Sequence, residues 1–437
     1  MISQGKYVPL RRFINSNYMK KNSLFIVATL LTWLTETASA QKFDDWFTDR
    51  TLRLDYILAG DSCTQEIFFE KALTTARWAG RRSRLAEMPL KGDGQLTVSD
   101  AETGQKLYVH TFSTLFQEWQ ATEEATNVRK AFQLSCQIPF PLRPVKVTIT
   151  LTNSHAAIAG QLTHSVDPHD ILIRQATDPG YPYRYLFKTD SIADLAHHID
   201  LAIVAEGYTE AEISKFYADC NRAVEALFSH EPFTSLKQRF NIVAVAPVSA
   251  DSGPSIPHRG RWNRTPIGTH YDTFYSERYL MTEDMHRLYD VLAAVPFEHV
   301  IVLVNSNEYG GGGIYNQLNV FACDHPTFRQ VLVHEFGHGY AGLGDEYAYD
   351  ENYETVYPSD TEPWEPNLTT RVNFEQKWAD LLPDPSGKVG LYEGGGNQSK
   401  GVWRPSSDCR MRSNEAPHFC PVCTRAIQRI TDFYTSN

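Results

Sequence analysis

The spacing of apolar residues changes near residue 178, and that change limits the chain to folds with two different kinds of sheet. Before it, apolar and polar residues alternate in short stretches, as in Leu52-Arg53-Leu54-Asp55-Tyr56 and Val145-Lys146-Val147-Thr148-Ile149-Thr150-Leu151. A period of two sends successive side chains to opposite faces of a strand, so one face is apolar and the other wetted. Leu96-Thr97-Val98 and Leu107-Tyr108-Val109-His110 flank a stretch holding Ser99, Asp100 and Gly104, residues that favour chain reversal, which predicts a hairpin. Several strands without long helical patterns predict a β-sandwich over residues 41–177. Nothing in this half has the residue pattern of a catalytic centre.

Past the turn formers Asp178-Pro179-Gly180-Tyr181-Pro182 the pattern becomes one of strands alternating with helices. Residues 201–205, 242–246 and 300–304 are continuous apolar runs, as expected of strands covered on both faces. Thr209 with Glu212 forms a capping box, and the helix it opens carries Ile213, Phe216, Tyr217, Cys220 and Val224 on one face. Residues 178–437 therefore read as an α/β domain, and the whole chain as a two-domain α+β protein. Its 437 residues suffice for two cores.

At the N-terminus, Lys20-Lys21, a mostly apolar stretch over 24–34 and Ala38-Ser39-Ala40 have the layout of a signal peptide, with 1–18 as an upstream extension. The expected destination is outside the cytoplasm, periplasmic or extracellular. Removing residues 1–40 takes away five Lys/Arg and one Glu and moves the formal charge from −11 to −15. So acidic a chain is a poor partner for nucleic acid or an anionic membrane. No run of about 18 apolar residues requires a bilayer. All seven cysteines follow residue 40, where an oxidising compartment permits disulfides, and their odd number leaves at least one without an intrachain partner. Cys409, Cys420 and Cys423 can hold one disulfide. A four-cysteine zinc site is not available there, although His418 could complete one with these three.

The segment that carries chemistry is His334-Glu335-Phe336-Gly337-His338, an H-E-x-x-H sequence of the kind zinc peptidases use. Asp324 as cap and Pro326 in the first turn predict the start of its helix. His334 and His338 are then i and i+4, neighbours on one face, and both imidazoles can bind one ion. Zinc accepts imidazole nitrogen and carboxylate oxygen in tetrahedral geometry, and a catalytic site keeps one position open. Zinc can bring the pKa of water to about 7, and Glu335 is the expected general base that takes its proton as it attacks a peptide carbonyl. A glycine-rich turn follows, with Asp345 and Glu346 as acidic candidates for a third ligand. Gly310-Gly311-Gly312-Gly313 fits no phosphate fingerprint and reads either as a flexible turn or as an edge that a substrate backbone can approach.

Together with Gly342-Leu343-Gly344-Asp345-Glu346-Tyr347, Cys409-Arg410-Met411-Arg412 and Phe419-Cys420-Pro421-Val422-Cys423, the motif resembles the bacterial IgA-peptidase-like zinc metallopeptidases, a metzincin-like group. The resemblance spans most of residues 180–437 and, more loosely, the N-terminal half. It implies a secreted endopeptidase acting on proteins or peptides, one zinc per chain, an N-terminal β-sandwich, and a methionine turn at Met411 beneath the metal, followed by a helix over about 421–433. It does not imply immunoglobulin A as substrate. In the metzincin pattern the glycine falls three residues after the second histidine and the third ligand six after it. Here those positions hold Ala341 and Gly344, as if the turn had gained one residue. Asp345 stands after Gly342 as the metzincin ligand stands after its glycine, which favours Asp345 as ligand and leaves Glu346 to accept from a ligand's ring N–H or to cap nearby backbone. The competing reading is a secreted glycan- or protein-binding module with a non-catalytic metal site. Glu335 argues against it, since a site that only holds metal has no need of that base.

Overall fold

The computed structural model describes residues 42–188, 197–349 and 356–436. The expected leader lies outside them. The described residues form one compact unit, and no helix among them is long and apolar enough to cross a membrane.

The first eight strands are β1 (Phe47–Gly60), β2 (Gln65–Arg77), β3 (Gly94–Asp100), β4 (Lys106–Phe112), β5 (Lys130–Pro141), β6 (Val145–Thr152), β7 (Ile158–Val166) and β8 (Arg174–Gln175), with a short helix α1 (Leu115–Gln120) after β4. They build two four-stranded sheets, ordered β5-β1-β2-β8 and β4-β3-β6-β7. The hairpin expected around Gly104 is present, with Leu96 opposite His110 and Val98 opposite Tyr108. Alternation works as the period of two requires: Leu52, Leu54, Tyr56 and Leu58 of one sheet share a core with Leu96, Val98, Val147 and Ile149 of the other. β1 and β2, at 14 and 13 residues, run longer than the short strands the sequence suggests.

After β9 (Tyr183–Phe187) come β10 (Ile199–Glu206), α2 (Ile213–Phe228), α3 (Phe233–Leu236), β11 (Phe240–Val245), α4 (Met285–Val291), β12 (His299–Val304), β13 (Gly311–Ile314), β14 (Leu318–Ala322) and α5 (Phe328–Ala341). The strands form one sheet in the order β13-β14-β12-β10-β11-β9. Its four inner strands are parallel and its two edges antiparallel. β10, β11 and β12 are buried along their whole length because both faces are covered. Leu201, Ile203 and Ile242 meet α2 and α5 on one face, and Ala202, Val204 and Val243 meet α4 on the other. The capping box of Thr209 and Glu212 forms as expected, ahead of α2. A three-stranded sheet of β15 (Ala348–Tyr349), β16 (Tyr392–Gly395) and β17 (Asn397–Arg404) and the helix α6 (Pro421–Thr435) complete the chain.

One expectation is corrected and one open reading is decided. α5 begins at Phe328, so neither Asp324 nor Pro326 lies in its first turn. Asp324 is drawn instead into ion pairs with Lys215 at 2.8 Å and Arg222 at 3.8 Å, a tertiary demand that outweighs a local cap. Of the two readings of the glycines at 310–313, the edge holds and the flexible turn does not, because three of them make the edge strand β13, on which α5 rests. A Cβ on Gly313 would overlap the carbonyl oxygen of Glu335, a backbone atom that cannot swing away. Gly313→Ala is expected to cost about 1–3 kcal/mol, as overpacking does, read as a lower urea midpoint at unchanged slope. An unshifted midpoint would show that strand and helix can part without loss.

The two halves interlock. Arg53 of β1, fully buried, pairs with Asp55 at 2.7 Å and reaches Asp290 of α4 at 2.6 Å. Asn316 donates to the carbonyl of Thr111 at 2.7 Å. The segment 176–182, where the pattern changes, has no regular secondary structure.

Candidate metal centre

On α5 the four-residue spacing brings His334 and His338 edge to face, with ring centroids 4.8 Å apart. Each Nδ1 faces a carbonyl oxygen, that of Arg410 at 2.9 Å for His334 and that of Leu343 at 2.5 Å for His338. A carbonyl can only accept, so both rings carry a proton on Nδ1, which leaves Nε2 to hold either a metal ion or a second proton. The two Nε2 atoms stand 3.1 Å apart, and Asp345 Oδ1 lies 3.1 Å from one and 3.2 Å from the other. Two imidazole nitrogens and one carboxylate oxygen thus converge on one point. Without a metal, protons shared with Asp345 can occupy this triangle, and two imidazole nitrogens with one carboxylate oxygen suit zinc.

Asp345 reaches this point because Gly342 ends α5 in the left-handed region at φ 58°, ψ 32°, where a side chain is disfavoured. The N–H groups of Gly342 and Leu343 donate back to the carbonyls of His338 and Gly337. Distant backbone and side chains then hold the loop. Asn367 accepts from Gly344 N–H at 2.7 Å and donates to its carbonyl at 2.8 Å, and Gly396 N–H donates to the Asp345 carbonyl at 2.7 Å. Burial disfavours a charged His338, but the Asp345 carboxylate, with Glu335 adding, outweighs it and lifts the imidazole to about 10. Burial pushes Asp345 upward too, yet the His338 charge and the hydrogen bonds from both histidines outweigh it and hold the carboxyl well below the usual range. A dication between the three would answer the same field.

Met411 is fully buried beneath this turn of helix. A Cβ on Gly337, within the H-E-x-x-H sequence, would stand 2.8 Å from its Sδ. Its neighbour Arg410 supplies the carbonyl for His334, and its own carbonyl accepts from Glu346 N–H at 2.7 Å. Glu346 departs from expectation: it neither receives a ligand's ring N–H nor caps backbone, and its side chain turns away into a pocket with Cys409, Cys420 and Cys423. His418 is exposed and lies outside that group.

The site opens into a cleft of about 1930 Å³ lined from both halves, including Glu118, Tyr279, Tyr309, Glu335, Tyr347 and Trp364. Glu118 on α1 accepts a hydrogen bond from Tyr279. Its carboxyl is open to the cleft, but the protein packed around it pushes it up to about 7, helped by Glu335 and Asp93 and opposed by Tyr279 and His338. Sequence reasoning placed nothing of the N-terminal half here, and it missed Asn367 as well. Neither residue sits in a local pattern that would have marked it.

The IgA Peptidase M64 family model matches residues 188–386 and 384–431, and the Peptidase M64 N-terminus model matches residues 42–163. This chain belongs to the IgA Peptidase M64 family. Like other M64 peptidases it is a metallopeptidase, a hydrolase of peptide bonds that depends on a metal ion. No curated protein matches it significantly. The M64 match covers the helix with His334 and His338, the turn with Asp345, and Met411; the N-terminal match covers α1 and Glu118.

Proposed function

We propose that this M64 peptidase is an exported, zinc-dependent endopeptidase that cleaves protein substrates, with His334, His338 and Asp345 as metal ligands and Glu335 as general base. The observation that carries the reading is the convergence of two Nε2 atoms and one carboxylate oxygen within 3.1–3.2 Å of one another, on the wall of a cleft that Glu335 also lines. A zinc ion held there would supply Lewis acidity, polarising a peptide carbonyl and making water easier to deprotonate. Glu335 takes the proton from the attacking water and can return it to the departing amine. The carbonyls of Arg410 and Leu343 keep both imidazoles in the tautomer that presents Nε2. Met411 packs under the helix and fixes its distance from the loop that returns Asp345.

Two four-stranded sheets around one core support a β-sandwich accessory domain over 41–177. The helix-borne histidines, the Gly342 turn, the buried Met411 and the closing helix α6 support a metzincin-like catalytic domain over 178–437. Residues 1–40 hold the export signal, with 1–18 as an upstream extension. The test is to incubate the purified full chain with a peptide library, with and without a chelator, and to read the cleaved bonds. Cleavage that stops on chelation and returns with zinc is expected. Bound zinc without cleavage of any library member would favour the non-catalytic binding module.

A further inference from the structure

Three thiols and one carboxylate meet in the core just behind Asp345. Cys409, Cys420, Cys423 and Glu346 are each at most 1% exposed, and one ligand atom of each lies within 4.8 Å of all the others. Cys409 Sγ stands 3.8 Å from Cys423 Sγ, Cys423 Sγ 3.0 Å from Glu346 Oε1, and Cys420 Sγ 3.9 Å from the same oxygen. Two sulfurs each about 2.3 Å from a zinc ion at tetrahedral angles stand about 3.8 Å apart. All seven cysteines are free thiols.

The backbone at the start of α6 offers donors to sulfur that carries negative charge. Cys420 caps α6 and Cys423 lies in its first turn, where unpaired N–H groups and the positive end of the helix favour anions. Cys420 N–H donates to Cys409 Sγ at 3.2 Å, and Cys423 N–H to Cys420 Sγ at 3.5 Å. Glu346 is the group left wanting. Its Oε1 accepts from Asn367 at 3.0 Å, but its Oε2, buried with it, has no hydrogen-bond partner among the described residues. A disulfide between Cys409 and Cys423 would remove the Cys423 S–H that faces the carboxylate and leave Glu346 worse satisfied, at the cost that buried polar groups carry. A cation bound by all four groups satisfies carboxylate and sulfurs together.

We propose that Glu346, Cys409, Cys420 and Cys423 form a second, structural metal site, selective for a thiophilic dication such as zinc and independent of the site on His334 and His338. Four protein ligands leave no open position, the mark of a structural site. Each thiol that binds loses its proton to solvent, so loading releases up to three protons. The ligands come from three segments: the residue after Asp345, the residue two before Met411, and the start of α6. An ion there ties the third ligand of the catalytic site and the turn beneath it to the closing helix. The expected content is therefore two ions per chain rather than one.

The test uses the full chain purified under reducing conditions and loaded with cobalt(II) in place of zinc. Sulfur-to-cobalt charge transfer in the near ultraviolet reports the cysteine site alone, since the histidine site contains no sulfur. The expected result is two metal equivalents and a strong charge-transfer band. His338→Ala should retain the band with one equivalent, and Cys423→Ser should lose most of the band and keep one equivalent. Thiol titration of the wild type needs no variant to fold: all seven thiols should react after chelation in denaturant without added reductant, whereas a disulfide would hide two of them. A missing band, or two thiols recovered only after reduction, would overturn the proposal and point to a disulfide. Loss of peptide cleavage with the band intact would count against the catalytic reading instead.

Discussion

Glu335→Ala is expected to lower kcat about 10²- to 10⁴-fold, the range that general-base assistance supplies, while zinc content and the unfolding midpoint stay at wild-type values. Glu335 lines the cleft with a carboxylate oxygen within 4.8 Å of a ring nitrogen of each histidine, but no hydrogen bond joins it to them: their Nδ1 protons go to the carbonyls of Arg410 and Leu343, and their Nε2 atoms face Asp345. The truncation removes a proton acceptor without removing a ligand or a support. Stopped assays at saturating peptide, alongside elemental analysis of the same preparation, separate the two roles. Hydrolysis at the wild-type rate would show that the proton goes elsewhere, and zinc loss in step with activity would make Glu335 a ligand.

Asp345→Ala is expected to weaken zinc at the histidine site by more than about 100-fold, because loss of a mere outer-shell partner already costs about 10- to 100-fold. The carboxylate is the only anion among the three converging donors, and its Oδ1 faces both Nε2 atoms. Glu346→Ala should weaken this site far less, since its side chain points into the cysteine pocket and reaches the loop that carries Asp345 only through Asn367 and through backbone. Zinc reactivation of chelator-stripped protein, followed by peptide cleavage, measures the affinity of this site in both variants. A greater loss in Glu346→Ala would reverse the assignment of the third ligand.

Periodicities that act over a few residues are legible in the chain's own order of residues. Alternation marks β1 and β6, continuous apolar runs mark β10, β11 and β12, and Thr209 with Glu212 marks the entry to α2. The i, i+4 histidines are legible for the same reason, since a helix of any origin makes them neighbours. The start of α5 is not, because Asp324 has two uses, and the ion pairs with Lys215 and Arg222 prevail over capping.

What the sequence by itself determined is which chemical groups are present and which of them share a strand face or a helical turn. It did not determine which acid meets the histidines. Asp345 and Glu346 are adjacent and chemically alike, and the choice between them rests on Asn367, Gly396 and the Met411 carbonyl, 22 to 65 residues away in the chain. Nor could it put Glu118 of the N-terminal half in the cleft, or replace the exposed His418 by Glu346 beside the three cysteines. Hydrogen-bond donors and acceptors carry no signal of their distant partners in local composition; only the packed chain, by burying them where water cannot serve, makes each find one.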